Sequence, residues 1–126
     1  MQIQSSEELV GMTSSQLLGL LDEARDAARI AGLKWAEAEK AFKDAKELLP
    51  SIFAEYARLY SVAGAKAHDI RWKVAADKGY QAKVKEMNQL EYASRLEEVE
   101  YKGWMRTIEC LTSISYVRNN ELKLAR

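Results

Sequence analysis

The chain has 126 residues, of which 48% are hydrophobic and 30% are charged, so it has the size and the apolar content of one folded domain. Six glycines and one proline are too few turn residues for a many-stranded sandwich or barrel. One cysteine and one histidine exclude an internal disulfide and a structural zinc site of the usual nitrogen and sulfur type within one chain. These counts favour an all-α, cytoplasmic protein.

Charge is distributed unevenly, although the net charge is zero. Between residues 58 and 85 there are seven Lys and Arg but two Asp and Glu, an excess of five positive charges. No segment approaches the roughly 20 apolar residues that cross a bilayer, and the N-terminus lacks the pattern of a secretory signal. The sequence therefore predicts a protein without a membrane span, whose main chemical clue is its basic middle.

A polar, aperiodic stretch over residues 1–12 is interpreted as a flexible N-terminal arm, followed by a single helical domain over residues 13–126. Thr13 and Gln16 match a capping box, so the first long helix should begin near Ser14. Apolar residues then recur every four and three positions through six heptads, which is typical of a long helical hairpin or a coiled coil. They are Leu17, Leu21, Ala24, Ala28, Ala31, Trp35, Ala38, Phe42, Ala45, Leu49, Ile52, Tyr56 and Leu59.

Two residues mark interruptions of this repeat. Pro50 removes one helical hydrogen bond, so we expect a kink or a break near it, and the continuing repeat favours a kink. Gly64 lies where the periodicity stops, and we place the turn at Ser61 to Ala65.

After the turn, a short helix is predicted over Ala65 to Lys78, with Gly79 as its C′ residue. A second long helix should follow over Tyr80 to Arg118. Its apolar stripe shifts register, so we expect it to meet several neighbours. The positions are Tyr80, Val84 and Met87, then Tyr92, Leu96 and Val99, then Trp104, Ile108, Leu111 and Ile114.

Motifs of common enzymes are absent from the sequence: there is no phosphate-binding loop, dinucleotide turn, nucleophile elbow or paired-histidine zinc motif. His68 has no suitably placed partner, because Asp69 is adjacent and points elsewhere on a helix. Cys110 is interpreted as a small buried hydrophobic residue. We expect a protein that is not an enzyme and needs no cofactor or metal.

The basic middle interleaves cations with aromatic residues, and this composition suits single-stranded nucleic acid, because cations neutralise phosphates and rings stack on unpaired bases. Trp72 lies about 200° from Ile70 around a helix. This angle favours exposure and a stacking role over docking of the short helix. The candidate DNA-binding residues are Arg58, Tyr60, Lys66, Arg71, Trp72, Lys73, Lys78 and Lys83.

Several landmarks over residues 30–126 resemble the phage UvsY recombination mediators and other small helical phage recombination-accessory proteins. They are Ala57-Arg58-Leu59 with Tyr60 and Ser61, Asp69-Ile70-Arg71 leading into Val74 to Lys78, and Cys110 with Ile114, Val117 and Arg118. The resemblance implies a homo-oligomer that binds single-stranded DNA in the host cytoplasm. It also implies help in loading a RecA-like recombinase onto strands covered by single-strand binding protein. Arg58 matches an arginine that binds DNA in that family. Tyr56 stands where the family has a lysine, whose role would pass to Lys66 or Arg71.

Two other functions fit the same sequence. The charged faces would also suit a helical protein-interaction module, such as a phage inhibitor of a host defence complex. A purely structural coiled-coil oligomer would bind no ligand. In each case we expect self-association, because the helices offer more apolar surface than one hairpin buries.

Overall fold

A computed structural model describes residues 11–124 of the chain. Over that range it consists of three helices without a strand: α1 (Ser14–Val62), α2 (Ile70–Ala76) and α3 (Lys78–Leu124). The two long helices pack against each other as a hairpin, and α2 lies in the connection between them. The predicted all-α hairpin with a short intervening helix is therefore confirmed. Of the predicted arm, residues 1–10 lie outside the described residues.

Helix α1 begins where its capping box predicts. The Gln16 N–H donates to Thr13 Oγ1 over 3.1 Å, and the Thr13 N–H donates to Gln16 Oε1 over 2.9 Å. These bonds occupy two N–H groups that have no partner inside the helix. Pro50 is exposed and lies inside α1, which continues to Val62. The proline therefore does not break the helix.

The contacts of the described chain divide into two compact units. The first unit takes the residues up to Trp35 and those from Leu96 onward. Its core is the contact between Leu17, Leu21 and Ala24 of α1 and Leu111 of α3, against which half-buried Trp104, Ile108 and Ile114 pack. The predicted repeat is confirmed here, where Leu17, Leu21, Ala24, Ala28 and Ala31 are all buried.

Small residues of α1 make room for large residues of α3 within the first unit. A Cβ atom added to Gly32 would lie 3.3 Å from the Tyr101 ring, and the Trp35 and Tyr101 rings are 5.5 Å apart. Aromatic pairs at this separation add to the energy of area burial.

The second unit is Ala36–Arg95 and contains the turn of the hairpin. Its aromatic residues meet edge to face: the centroid of the Tyr80 ring is 5.7 Å from that of Phe53 and 6.1 Å from that of Tyr56. The turn follows the predicted glycine, since Gly64 has a φ of +95°, a conformation that other residues adopt at a cost.

The bounds of the later helices differ from the prediction. Helix α2 is the seven-residue span Ile70–Ala76, shorter than the predicted Ala65 to Lys78, and α3 already begins at Lys78. Gly79 is therefore not the C′ residue of α2 but part of the first turn of α3. The physical reason is Asp77, whose side chain caps α3 and so starts that helix earlier than the apolar pattern indicates.

The predicted stripe of α3 is wrong in its middle third. Tyr92, Leu96 and Val99 are 65%, 53% and 69% exposed, whereas polar Ser94 is buried. The face of α3 toward α1 keeps one heptad register, and in this stretch it carries polar residues. Two smaller errors concern single residues. Leu59 is 50% exposed while Tyr60 turns inward, and Cys110 is exposed rather than buried.

Candidate nucleic-acid interface

The candidate DNA-binding residues all lie in the second unit, within residues 58–85, which we call the basic segment. It spans the last turn of α1, the connection, α2 and the first turns of α3. Arg58 lies on α1, Lys66 in the connection, and Lys78 and Lys83 on α3, and all four are exposed. The fold thus brings residues from three helices into one unit around α2.

One edge of α2 anchors it to the rest of the unit. Val74 is completely buried, at 0% exposed, and Ile70 is half-buried. Trp72 lies between them in sequence, on the opposite side of the helix, and is 77% exposed. Arg71 and Lys73 on either side of it are exposed as well. The predicted exposure of Trp72 is confirmed, and Val74 rather than Trp72 docks the helix.

Asp77 joins α2 directly to α3. Its backbone N–H donates to the Val74 carbonyl over 3.1 Å, which closes the end of α2. Its Oδ1 atom accepts the N–H groups of Gly79 at 2.8 Å and Tyr80 at 3.1 Å, which caps the start of α3. Asp77 therefore holds the end of α2 and the start of α3 together through its own hydrogen bonds.

Tyr60 ties this junction to the first helix. Its hydroxyl donates to Asp77 Oδ2 over 2.6 Å, a contact between residues 17 positions apart. Tyr60 is half-buried, so the structure does not present it as an exposed ring for stacking on a base. Its observed contacts are those of a residue that holds the junction in place.

The hydrogen bond from Tyr60 perturbs both partners. It lowers the pKa of Asp77 below its ordinary value of 3.8, helped by the Tyr80 and Gly79 N–H groups and opposed by burial. The same bond, with burial and the charge of Asp77, raises the pKa of Tyr60 above 10.0. The carboxylate and the phenol are therefore the protonation states that the fold favours at neutral pH.

Stability should depend on pH through this pair. The stabilisation from Asp77 is complete above its ordinary pKa of 3.8 and is lost as the pH falls through its lower folded value. The stabilisation from Tyr60 is complete below pH 10.0 and is lost as the pH rises through its higher folded value.

We therefore expect Tyr60→Phe to lower the melting temperature at neutral pH, and the gap to wild type to narrow below about pH 4. Thermal denaturation followed by circular dichroism from acid to neutral pH measures the gap. Tyr116→Phe is the matched control, since Tyr116 is 67% exposed. A gap for Tyr60→Phe that stays constant over the acid range would contradict the assignment.

Neither acidic residue of the basic segment forms an ion pair with a Lys or Arg of the described chain. Asp77 accepts from Tyr60 and the start of α3. Asp69 Oδ1 lies 3.5 Å from His68 Nε2, so the prediction that these adjacent side chains point apart is wrong, because they lie in a turn before α2 and not on a helix. Lys83 Nζ lies 3.7 Å from Glu86. The other cations of the segment have no ion pair with any residue between 11 and 124: Arg58, Lys66, Arg71, Lys73, Lys78 and Lys85. These cations are available to anions from outside the described chain.

Sequence reasoning missed Asp77 and the role of Gly79. A Cβ atom added to Gly79 would collide with the Tyr56 hydroxyl and would lie 3.1 Å from Asp77 Oδ1. The preference of Asp for N-cap positions was the available signal for Asp77. No sequence signal placed Tyr56 over the start of α3, because that contact is made across the hairpin.

Other features of the described residues bear on chemistry. No group of three or more His, Cys, Asp or Glu side chains in this range is arranged to hold a metal ion. Nor does any described helix contain a stretch long and apolar enough to span a bilayer. Comparisons with models of known protein families, with curated proteins and with solved structures return no match to this chain.

Proposed function

We propose that this chain binds single-stranded DNA through its basic segment, without catalysis, and acts as a homo-oligomeric recombination accessory protein of the phage type. The observation that carries the proposal is Trp72, which is 77% exposed on a firmly anchored helix and flanked by two exposed cations. Exposure of a large aromatic side chain has a cost in water, and a stacking partner would remove that cost.

The anchoring of α2 makes Trp72 suitable as a base platform. Val74 is buried and Asp77 connects α2 to α3, so the backbone under the indole is held before any ligand arrives. A preorganised ring loses little conformational freedom on binding. Arg71 and Lys73 would then neutralise phosphates on either side of the stacked base.

Single strands are the preferred substrate class in this proposal. Bases in a duplex are already stacked on each other, so only an unpaired base can stack on the exposed indole. The cations add an attraction that is independent of sequence. We expect little sequence preference and a steep decrease of affinity with salt.

The test is fluorescence anisotropy with a labelled, unstructured oligonucleotide, titrated at several salt concentrations. The slope of log affinity against log salt should be negative, at about −0.7 per phosphate contact on single strands. An unlabelled duplex of the same sequence should compete weakly. Affinity that is insensitive to salt, or equal for duplex and single strand, would refute the proposal.

Trp72→Ala is expected to weaken binding by about tenfold, since stacking on one base is worth roughly 1 to 3 kcal/mol. The melting temperature should be unchanged, because the ring makes few contacts in the free protein. Tyr92→Ala removes another exposed aromatic side chain, 65% exposed on α3, and serves as the matched control. A lowered melting temperature with unchanged affinity for Trp72→Ala would assign the ring a structural role.

The recombination role rests on the resemblance to the UvsY mediators. In this role the chain works in the host cytoplasm and helps a RecA-like recombinase replace single-strand binding protein. Strand-exchange reactions with such a recombinase, with and without this protein, test that part separately from DNA binding. If the oligonucleotide does not bind while a protein partner does, the protein-interaction module becomes the better assignment.

A further inference from the structure

A second heptad repeat lies on the side of α3 that faces away from α1. Tyr101 faces α1, and positions around the helix are counted from it at 100° per residue. Each residue of the second repeat lies within about 60° of the direction opposite Tyr101. Leu96, Val99 and Val117 are 53%, 69% and 55% exposed, and Cys110 is exposed too. We call this repeat the outer face, and within the first unit it comprises Leu96, Val99, Gly103, Arg106, Cys110, Ser113 and Val117.

Two shallow grooves follow the outer face. The first, of about 600 Å³, is lined in part by Val99, Gly103 and Cys110. The second, of about 350 Å³, is lined in part by Ser113 and Val117. Gly103 has no side chain and leaves the middle of the repeat open to a close helix approach. Such a face has the spacing and the holes that receive the side chains of a facing helix.

The outer face is complementary to itself when one copy runs in the opposite direction. In a parallel pair, equivalent core positions meet, so Arg106 would face Arg106 of the second copy. Two like charges in a dry core are strongly unfavourable. Leu96, Gly103, Cys110 and Val117 occupy the a positions of this repeat, and the other three residues occupy the d positions. In an antiparallel pair each a position meets a d position of the second copy, so Arg106 can face Gly103, which has no side chain. Charge and shape both favour the antiparallel direction.

Flanking charges select one antiparallel register. With Arg106 opposite Gly103 of the second copy, Lys102 meets Glu109 of that copy, and the contact occurs twice by symmetry. A shift of one heptad places Glu109 against Glu109 in one direction and Lys102 against Lys102 in the other. Lys102 already binds Glu98 of its own helix at 2.6 Å, but its side chain is 58% exposed and can reach a second carboxylate.

We propose that the outer face of α3 binds the same face of a second copy of the chain, antiparallel, with Lys102 against Glu109 and Cys110 against Val99. The pairing rests on the proposed function and identifies the surface through which that homo-oligomer forms. Pairing would place two basic segments in one particle, which increases the number of phosphate contacts available to one strand. Mass and cross-linking are measured without nucleic acid, so a failure of this pairing is distinguishable from a failure to bind DNA.

The first measurement is the mass of the protein by light scattering after size exclusion, over the micromolar range. We expect a dimer for wild type and a monomer for Val99→Glu. The dissociation constant of the dimer should rise by about a hundredfold, because a carboxylate would enter the contact. Leu33→Glu is the matched control: Leu33 is 57% exposed on α1 in the same unit, and this variant should remain dimeric. A monomeric wild type, or a dimer unaffected by Val99→Glu, would overturn the proposal.

The second measurement is disulfide formation under mild oxidation, which reads direction and register. In the proposed register the two Cys110 residues are offset by 11 positions, or about 16 Å along the helix, too far for a disulfide. Wild type should not cross-link, whereas Val99→Cys should form a covalent dimer through Cys110. Efficient cross-linking of wild type would indicate a parallel pair, and absence of cross-linking in Val99→Cys would exclude this register even if Val99→Glu fails to fold.

Discussion

Replacing Arg71 and Lys73 together by glutamate is expected to lower the affinity for a single-stranded oligonucleotide by about a hundredfold at low salt. Each cation in contact with phosphate is worth about 1.5 kcal/mol, and two such contacts correspond to that factor. The loss should be similar for all sequences, because phosphate contacts do not read bases. The slope of log affinity against log salt should become shallower by about 0.7 for each lost contact.

Helical content and melting temperature should change little in this variant, because both side chains are exposed and Val74 carries the docking of α2. The matched control is Lys34→Glu with Lys40→Glu. These two α1 lysines are exposed and have no ion pair with a residue of the described range. Because both variants replace two cations by two glutamates, they have the same net charge. An equal loss of affinity in both variants would show that net charge matters and that the position of the cations does not.

Replacing Gly79 by alanine is expected to destabilise the fold by about 1 to 3 kcal/mol, which lowers the melting temperature by several degrees. The added methyl group would collide with the Tyr56 hydroxyl and crowd Asp77 Oδ1 at 3.1 Å. The Tyr56 ring also packs edge to face against Tyr80, with the ring centroids 6.1 Å apart, so a retreat of the ring would disturb that contact. The cost of this collision should exceed the gain of about 1 kcal/mol that alanine normally brings to a helix.

Gly19→Ala is the matched control, since Gly19 is also helical but nothing lies within 4 Å of its Cβ position. It should stabilise the protein by about 0.5 to 1 kcal/mol. In a Tyr56→Phe background, the cost of Gly79→Ala should become smaller, because the nearest colliding atom is gone. A stabilising Gly79→Ala would mean that the Tyr56 ring moves aside freely, and the packing described for the turn of the hairpin would then be wrong.

Much of the fold could be predicted because helices depend on contacts between near neighbours. The capping box of Thr13 and Gln16, the repeat beginning at Leu17 and the positive φ of Gly64 are all local properties. The exposure of Trp72 followed from the same reasoning, since its angle to Ile70 depends on helix geometry alone. By itself, the sequence therefore determined the helical hairpin, the place of its turn and the outward direction of the candidate base platform.

The tertiary structure alone decided which residues hold that platform and which face of α3 is left uncovered. Tyr60 meets Asp77 across 17 residues, and Gly79 is constrained by Tyr56 on another helix. The exposure of Val99 and the burial of Ser94 likewise depend on which face of α3 meets α1. The physical reason is that hydrophobic periodicity reports one helix at a time, whereas the register between two helices is set by side chains that are distant in sequence and become neighbours when the hairpin closes.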